Sequence, residues 1–102
     1  MSSAYVLTPR AKQDLSLIWR YIAGDSLNSA DDVEVAIYRA FDSLSSTPNA
    51  GHRRKDLTDR SLRFWPANPY KNYLVVYDAE KRPVRIIRIL HAALDAKTIL
   101  DR

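Results

Sequence analysis

A chain of 102 residues with sixteen Lys and Arg, twelve Asp and Glu and no cysteine has room for one domain and not for two. The missing thiol excludes disulfides, thiolate zinc sites and cysteine nucleophiles together, and a reducing compartment is the natural setting. The net charge of +4 tilts the chain toward an acidic partner, either nucleic acid or an acidic protein.

The first residues have no basic region followed by a long apolar run, so no signal peptide is expected. No stretch approaches the roughly 18 apolar residues that a membrane span needs. The expected location is the cytosol, away from any membrane.

Residues 5–8, Tyr-Val-Leu-Thr, read as a short strand that Pro9 stops. Ala11, Leu15, Ile18 and Ile22 then recur at four, three and four residues. That spacing makes one helical stripe, which Trp19 and Tyr21 widen and Gly24 ends. A second helix is expected from about Ser29, a good N-cap with Asp32 three residues on. Ala30, Val33, Ile37, Ala40, Phe41 and Leu44 form its apolar face, and residues 45–48 close it. Together the two make an αα-hairpin.

Residues 49–60 are polar. Residues 61–65, 73–78 and 84–90 are rich in β-branched and aromatic side chains and read as strands, with turns at 66–69 and 78–83. Residues 92–100 read as a short helix or tail. Grouped helices followed by grouped strands predict an α+β domain, with the hairpin on one face of a mainly antiparallel sheet of about four strands. The strand at 84–90, apolar on both faces, is placed centrally. The opposite sheet face is expected to be partly apolar and uncovered.

Residues 52–63 hold five Lys or Arg and two Asp, +3 of the total +4. This is a solvated loop or a patch facing phosphate or an acidic protein. Arg85 and Arg88 interrupt an apolar strand; three residues apart, they are expected on opposite faces, one near the helices and needing a carboxylate. His91, with Asp95 four residues later, is either an acid–base pair or a strand-end histidine. Phe64, Trp65, Tyr70, Tyr73 and Tyr77 read mostly as core. Two histidines 39 residues apart without cysteine match no common metal spacing. No phosphate-binding loop, dinucleotide fingerprint or nucleophile elbow is present either, so no cofactor and no metal are expected.

Several segments in order resemble the ParE toxins of the RelE/ParE superfamily. They are Tyr5-Val6-Leu7-Thr8-Pro9-Arg10-Ala11 with Asp14-Leu15 and residues 18–23, then residues 48–57 and Leu62-Arg63-Phe64-Trp65, then residues 73–78 and 86–91. The resemblance spans nearly the whole chain and implies a single toxin domain over residues 1–102. It implies the toxin of a type II toxin–antitoxin (plasmid stabilization) system that inhibits DNA gyrase and is neutralised by a ParD-like antitoxin. Operator DNA would be reached only through the antitoxin. Such a protein is a binding inhibitor with no catalytic residues.

Two alternatives stay open. One is a RelE-like, metal-independent, ribosome-dependent mRNA endonuclease with Arg60, Arg63 and Arg88 on phosphate and His91 as acid or base. The other is a non-toxic protein that only binds antitoxin, since Ala92-Ala93-Leu94-Asp95 stands where many ParE toxins carry glycine and basic residues. The residues expected to face antitoxin or target are Arg53, Arg54, Lys55, Arg60, Arg63, Trp65, Arg85 and His91.

Overall fold

The structure, a computed structural model, describes residues 5–91 and 99–100. Strand β1 (Tyr5–Leu7) leads directly into helix α1 (Pro9–Ala23). Thr8 makes the junction: its hydroxyl accepts from the Ala11 N–H, 3.1 Å away, while Pro9 takes the first helical position, where no amide donor is needed. Helix α2 (Leu27–Ser46) is capped three residues earlier than its sequence suggests, by Ser26 and not Ser29. The Ser26 hydroxyl accepts from the Ser29 N–H at 3.1 Å, so Ser29 is already inside the first turn.

Strands β2 (His52–Arg53), β3 (Arg63–Ala67), β4 (Tyr70–Asp78) and β5 (Val84–His91) complete a five-stranded sheet in the order β1-β5-β4-β3-β2. Only the β1–β5 pair is parallel. The sheet is thus mainly antiparallel, and the strand expected at its centre lies between β1 and β4. It has five strands instead of about four because the loop after α2 contributes the two-residue β2. Strand β3 also runs through Pro66, expected to be a turn residue; the register shifts there, between Pro66 and Ala67, which is where a strand tolerates proline.

Side chains of β4 alternate cleanly. Tyr73, Val75 and Tyr77 face the helices, while Leu74 and Val76 face away. The helix side buries Ala11, Leu15, Val33, Ile37, Ala40, Phe41 and Leu44 against Val75, Tyr77, Val84, Ile86 and Ile89. The anticipated face of α2 is buried throughout, but on α1 Tyr21 is 81% exposed and does not widen the core stripe.

The other sheet face, expected to lie uncovered, carries a second small core. Leu62, Phe64, Val76 and Leu90 are buried there together with Leu100, and Leu57 and Ile99 pack on the edge. The loop before β3 and the pair Ile99–Leu100 therefore cover what two helices could not reach. Residues 99 and 100 are helical; the rest of the expected C-terminal helix lies outside the described residues.

Candidate functional site

The site begins with a fault in the alternation of β5. Val76 pairs with Arg88 and Tyr77 with Ile86, so Ile87 is an extra residue, a β-bulge. Before it, Val84 and Ile86 face the helices; after it, Ile89 does. The change of parity overturns the expectation that Arg85 and Arg88 point to opposite faces. Both line one cleft of ≈ 580 Å³, beside Thr8, Arg10, Arg60, Ile87, Ile99 and Leu100.

Arg88 is anchored. Its Nε and Nη2 donate to the two oxygens of Asp14 at 2.7 and 3.0 Å, and the same carboxylate accepts from the Ile89 N–H at 3.0 Å. Asp14 is thus the carboxylate that the sequence required for one of these arginines. Its hydrogen bonds hold the guanidinium above its ordinary pKa, against the opposing effect of burial.

Arg10, in the first turn of α1, and Arg85, on β5, are exposed, and neither has an ion-pair partner among the described residues. Arg60 is set by its neighbour Thr58, a buried polar residue whose hydroxyl accepts from the Arg60 N–H at 3.1 Å. One Arg60 guanidinium nitrogen also lies 3.5 Å from the Leu100 carbonyl. Three separate stretches of chain thus bring four guanidinium groups to one cleft, against one carboxylate among the described residues.

The other sequence-predicted residues lie elsewhere. Arg63 holds the loop before β2, donating to the carbonyls of Gly51 at 2.7 Å and Asn49 at 3.4 Å. The Arg54 fork binds both oxygens of Asp56 at 3.0 and 2.8 Å, raising its own pKa and holding the exposed Asp56 carboxylate below the usual range. Arg53 is 3.9 Å from Glu80, Lys55 is exposed, and Trp65 packs half-buried against the main core.

His91 pairs across the sheet with Tyr73, the two rings edge to face with centroids 5.3 Å apart. They line a separate, mostly apolar groove of ≈ 350 Å³ with Leu17, Ile18 and Tyr21. Burial and the neighbouring Tyr21 push the Tyr73 hydroxyl up in pKa. Of the residues named for an endonuclease, only Arg60 and Arg88 share a lining; Arg63 and His91 stand apart. Asp95, the possible partner of His91, and the departure at 92–94 lie outside the described residues.

Sequence reasoning missed Arg10, Asp14 and Tyr77. The Tyr77 hydroxyl donates to the Pro48 carbonyl at 2.6 Å and accepts from the Gly51 N–H at 2.8 Å, pinning the loop after α2 onto the sheet. Burial raises its pKa, with Gly51 and Arg63 pulling the other way. A tyrosine in an apolar strand gives no sign of such a role. Arg10 could have been found from its place in the first turn after a short strand, which puts it at the sheet edge.

Residues 5–95 match the family model of the ParE toxin of type II toxin-antitoxin system, parDE. The chain belongs to the ParE toxin family. It is the toxin type of a type II toxin–antitoxin system. Among solved structures it is similar to a chain of the "Chromosomal ParDE TA system from P. aeruginosa", with a TM-score of 0.70 at 18% identity. That likeness covers 85% of this chain and 92% of the other, and at such low identity it speaks for the shared fold alone. No curated protein matches the chain significantly. Among the described residues no helix is long and apolar enough to cross a membrane.

Proposed function

We propose that this ParE-family chain inhibits DNA gyrase in the cytosol and is held inactive by a ParD-like antitoxin. The observation that carries the reading is the family match, which runs from β1 past the end of β5 and so takes in all four arginines of the cleft and the whole apolar groove. The groove suits the antitoxin. Leu17 and Tyr21, one helical turn apart on α1, are 54% and 81% exposed beside Tyr73 and His91, and an amphipathic segment could bury them. Acidic residues flanking such a segment would meet Arg53 and Arg54.

The test is expression of the chain alone in a bacterium, followed by a gyrase supercoiling assay and a ribosome-dependent mRNA cleavage assay on the purified protein. Growth arrest with filamentation and loss of supercoiling is the expected result. Cleaved messages with gyrase unaffected would replace the reading with the endonuclease. Soluble protein inactive in both assays and still binding antitoxin would replace it with the non-toxic alternative.

A further inference from the structure

We propose that the arginine cleft is a binding site for the phosphodiester backbone of a nucleic acid. The inference goes beyond gyrase inhibition and does not depend on it.

The charge that gives the chain its basic character is distributed unevenly. In the loop that carries most of it, Arg53 and Arg54 face Glu80 and Asp56, and Arg63 is spent on loop carbonyls. In the cleft, Asp14 neutralises Arg88, while Arg10, Arg60 and Arg85 have no ion-pair partner among the described residues. Like charges repel across such a lining, and nothing in the core requires them to converge. An anion with several charges in a row relieves that repulsion, and a guanidinium fork matches phosphate oxygens two at a time.

The bulge at Ile87 makes the arrangement possible. In a regular strand Arg88 would face away from Arg85; here both line one wall, with Arg10 and Arg60 arriving from other segments. Ile87 and Ile99 lie among the cations and offer an apolar surface to a sugar or base. An acidic peptide would also meet these charges. However, the exposed apolar surface a peptide helix would bury lies in the groove of Leu17, Tyr21 and Tyr73, which shares no residue with the cleft. Anion binding and apolar docking are thus separated, as a phosphate-binding cleft predicts.

The experiment uses the whole chain and fluorescein-labelled 20-nucleotide single-stranded DNA, duplex DNA and single-stranded RNA of mixed sequence, followed by anisotropy. With Arg10, Arg60 and Arg85 each on a phosphate, duplex affinity should fall about 40-fold between 50 and 200 mM salt. Arg10→Ala and Arg85→Ala should each lower the salt slope by about one. Arg39→Ala, which removes the same charge from the exposed side of α2, should leave the slope unchanged. The relative affinities of the three probes identify the nucleic acid. Absence of binding to every probe at 50 mM salt would overturn the proposal. So would an Arg39→Ala effect equal to those of the cleft variants, or displacement of the probes by a polyglutamate peptide at lower concentration than by unlabelled oligonucleotide. Because gyrase is absent from the assay, its outcome is independent of the supercoiling test.

Discussion

Truncating Arg88 to alanine tests whether its pair with Asp14 is structural. The Arg88 and Asp14 side chains are 16% and 11% exposed, joined by two hydrogen bonds. Removing one member of a buried ion pair costs about 3–5 kcal/mol, because the other charge is left uncompensated. Asp14 would keep its bond from the Ile89 N–H, and the cleft admits some water. A cost at or just below the bottom of that range, about 2–3 kcal/mol, is therefore expected for Arg88→Ala. In a chain of this size that lowers Tm by roughly 10–20 °C. Asp14→Ala should cost at least as much, since it also strips the Ile89 N–H of its acceptor. Urea unfolding of both single variants and the double variant closes the cycle. The expected coupling is about 2 kcal/mol, with toxicity falling only as folded protein falls. Single-variant costs that add to within about 0.5 kcal/mol would refute the reasoning. So would an Arg88→Ala protein with wild-type stability and no toxicity, which would make Arg88 a contact residue.

Gly51→Ala should destabilise by about 1–3 kcal/mol in the same unfolding assay, because its Cβ would sit 2.6 Å from the Tyr77 hydroxyl and 2.9 Å from the Phe64 carbonyl. Tyr77→Phe should also cost about 1–3 kcal/mol by leaving the Gly51 N–H without its acceptor. With its folded pKa above the ordinary tyrosine value, Tyr77 contributes stability in full below about pH 10 and loses it as pH rises through the raised value. The alkaline fall in Tm should therefore be shallower in Tyr77→Phe. His91→Ala should leave gyrase inhibition far closer to wild type than the roughly 100-fold loss that removing an acid–base group brings, as read by titrating supercoiling. Antitoxin association, followed by stopped flow, should slow with added salt more than dissociation speeds up, since rim charges such as Arg53 and Arg54 act mainly on encounter. A salt-independent on-rate would take the basic loop out of the contact.

The helix hairpin was legible because its burial follows a simple period, with Val33, Ile37, Ala40 and Leu44 facing inward as their spacing requires. So was the identity of β4 and β5, whose side chains are too β-branched and aromatic to suit anything but strands. What sequence could not reveal depends on departures from period. Ile87 looks like any other isoleucine in a strand, yet its insertion moves Arg88 to the side of Arg85 and so creates the cleft. The start of α2 was misplaced for a local reason: Ser26 and Ser29 are both competent caps, and the choice rests on a backbone conformation, extended at Ser26, that composition does not encode. The Asp14–Arg88 pair spans 74 residues. A buried arginine signals that it needs a carboxylate, but only the fold says which one.

The brevity of β1 leaves an unusual border on the sheet. Beyond Leu7 the outer side of β5 has no strand beside it among the described residues, yet three of its polar groups are answered. The Thr8 N–H donates to the Ile86 carbonyl, the Thr8 hydroxyl donates to the Ile87 carbonyl, and the Asp14 carboxylate accepts from the Ile89 N–H. The helix cap Thr8 and the one helix carboxylate of Asp14 thus stand in for a strand along residues 86–89. An exposed strand edge invites pairing with another molecule, and here that invitation is withdrawn along the length of β5 that carries Arg88. A partner that extends the sheet has the three residues of β1, the two of β2 and residues 65–67 of β3, beyond the reach of β2, to pair with, or else must prise α1 away first.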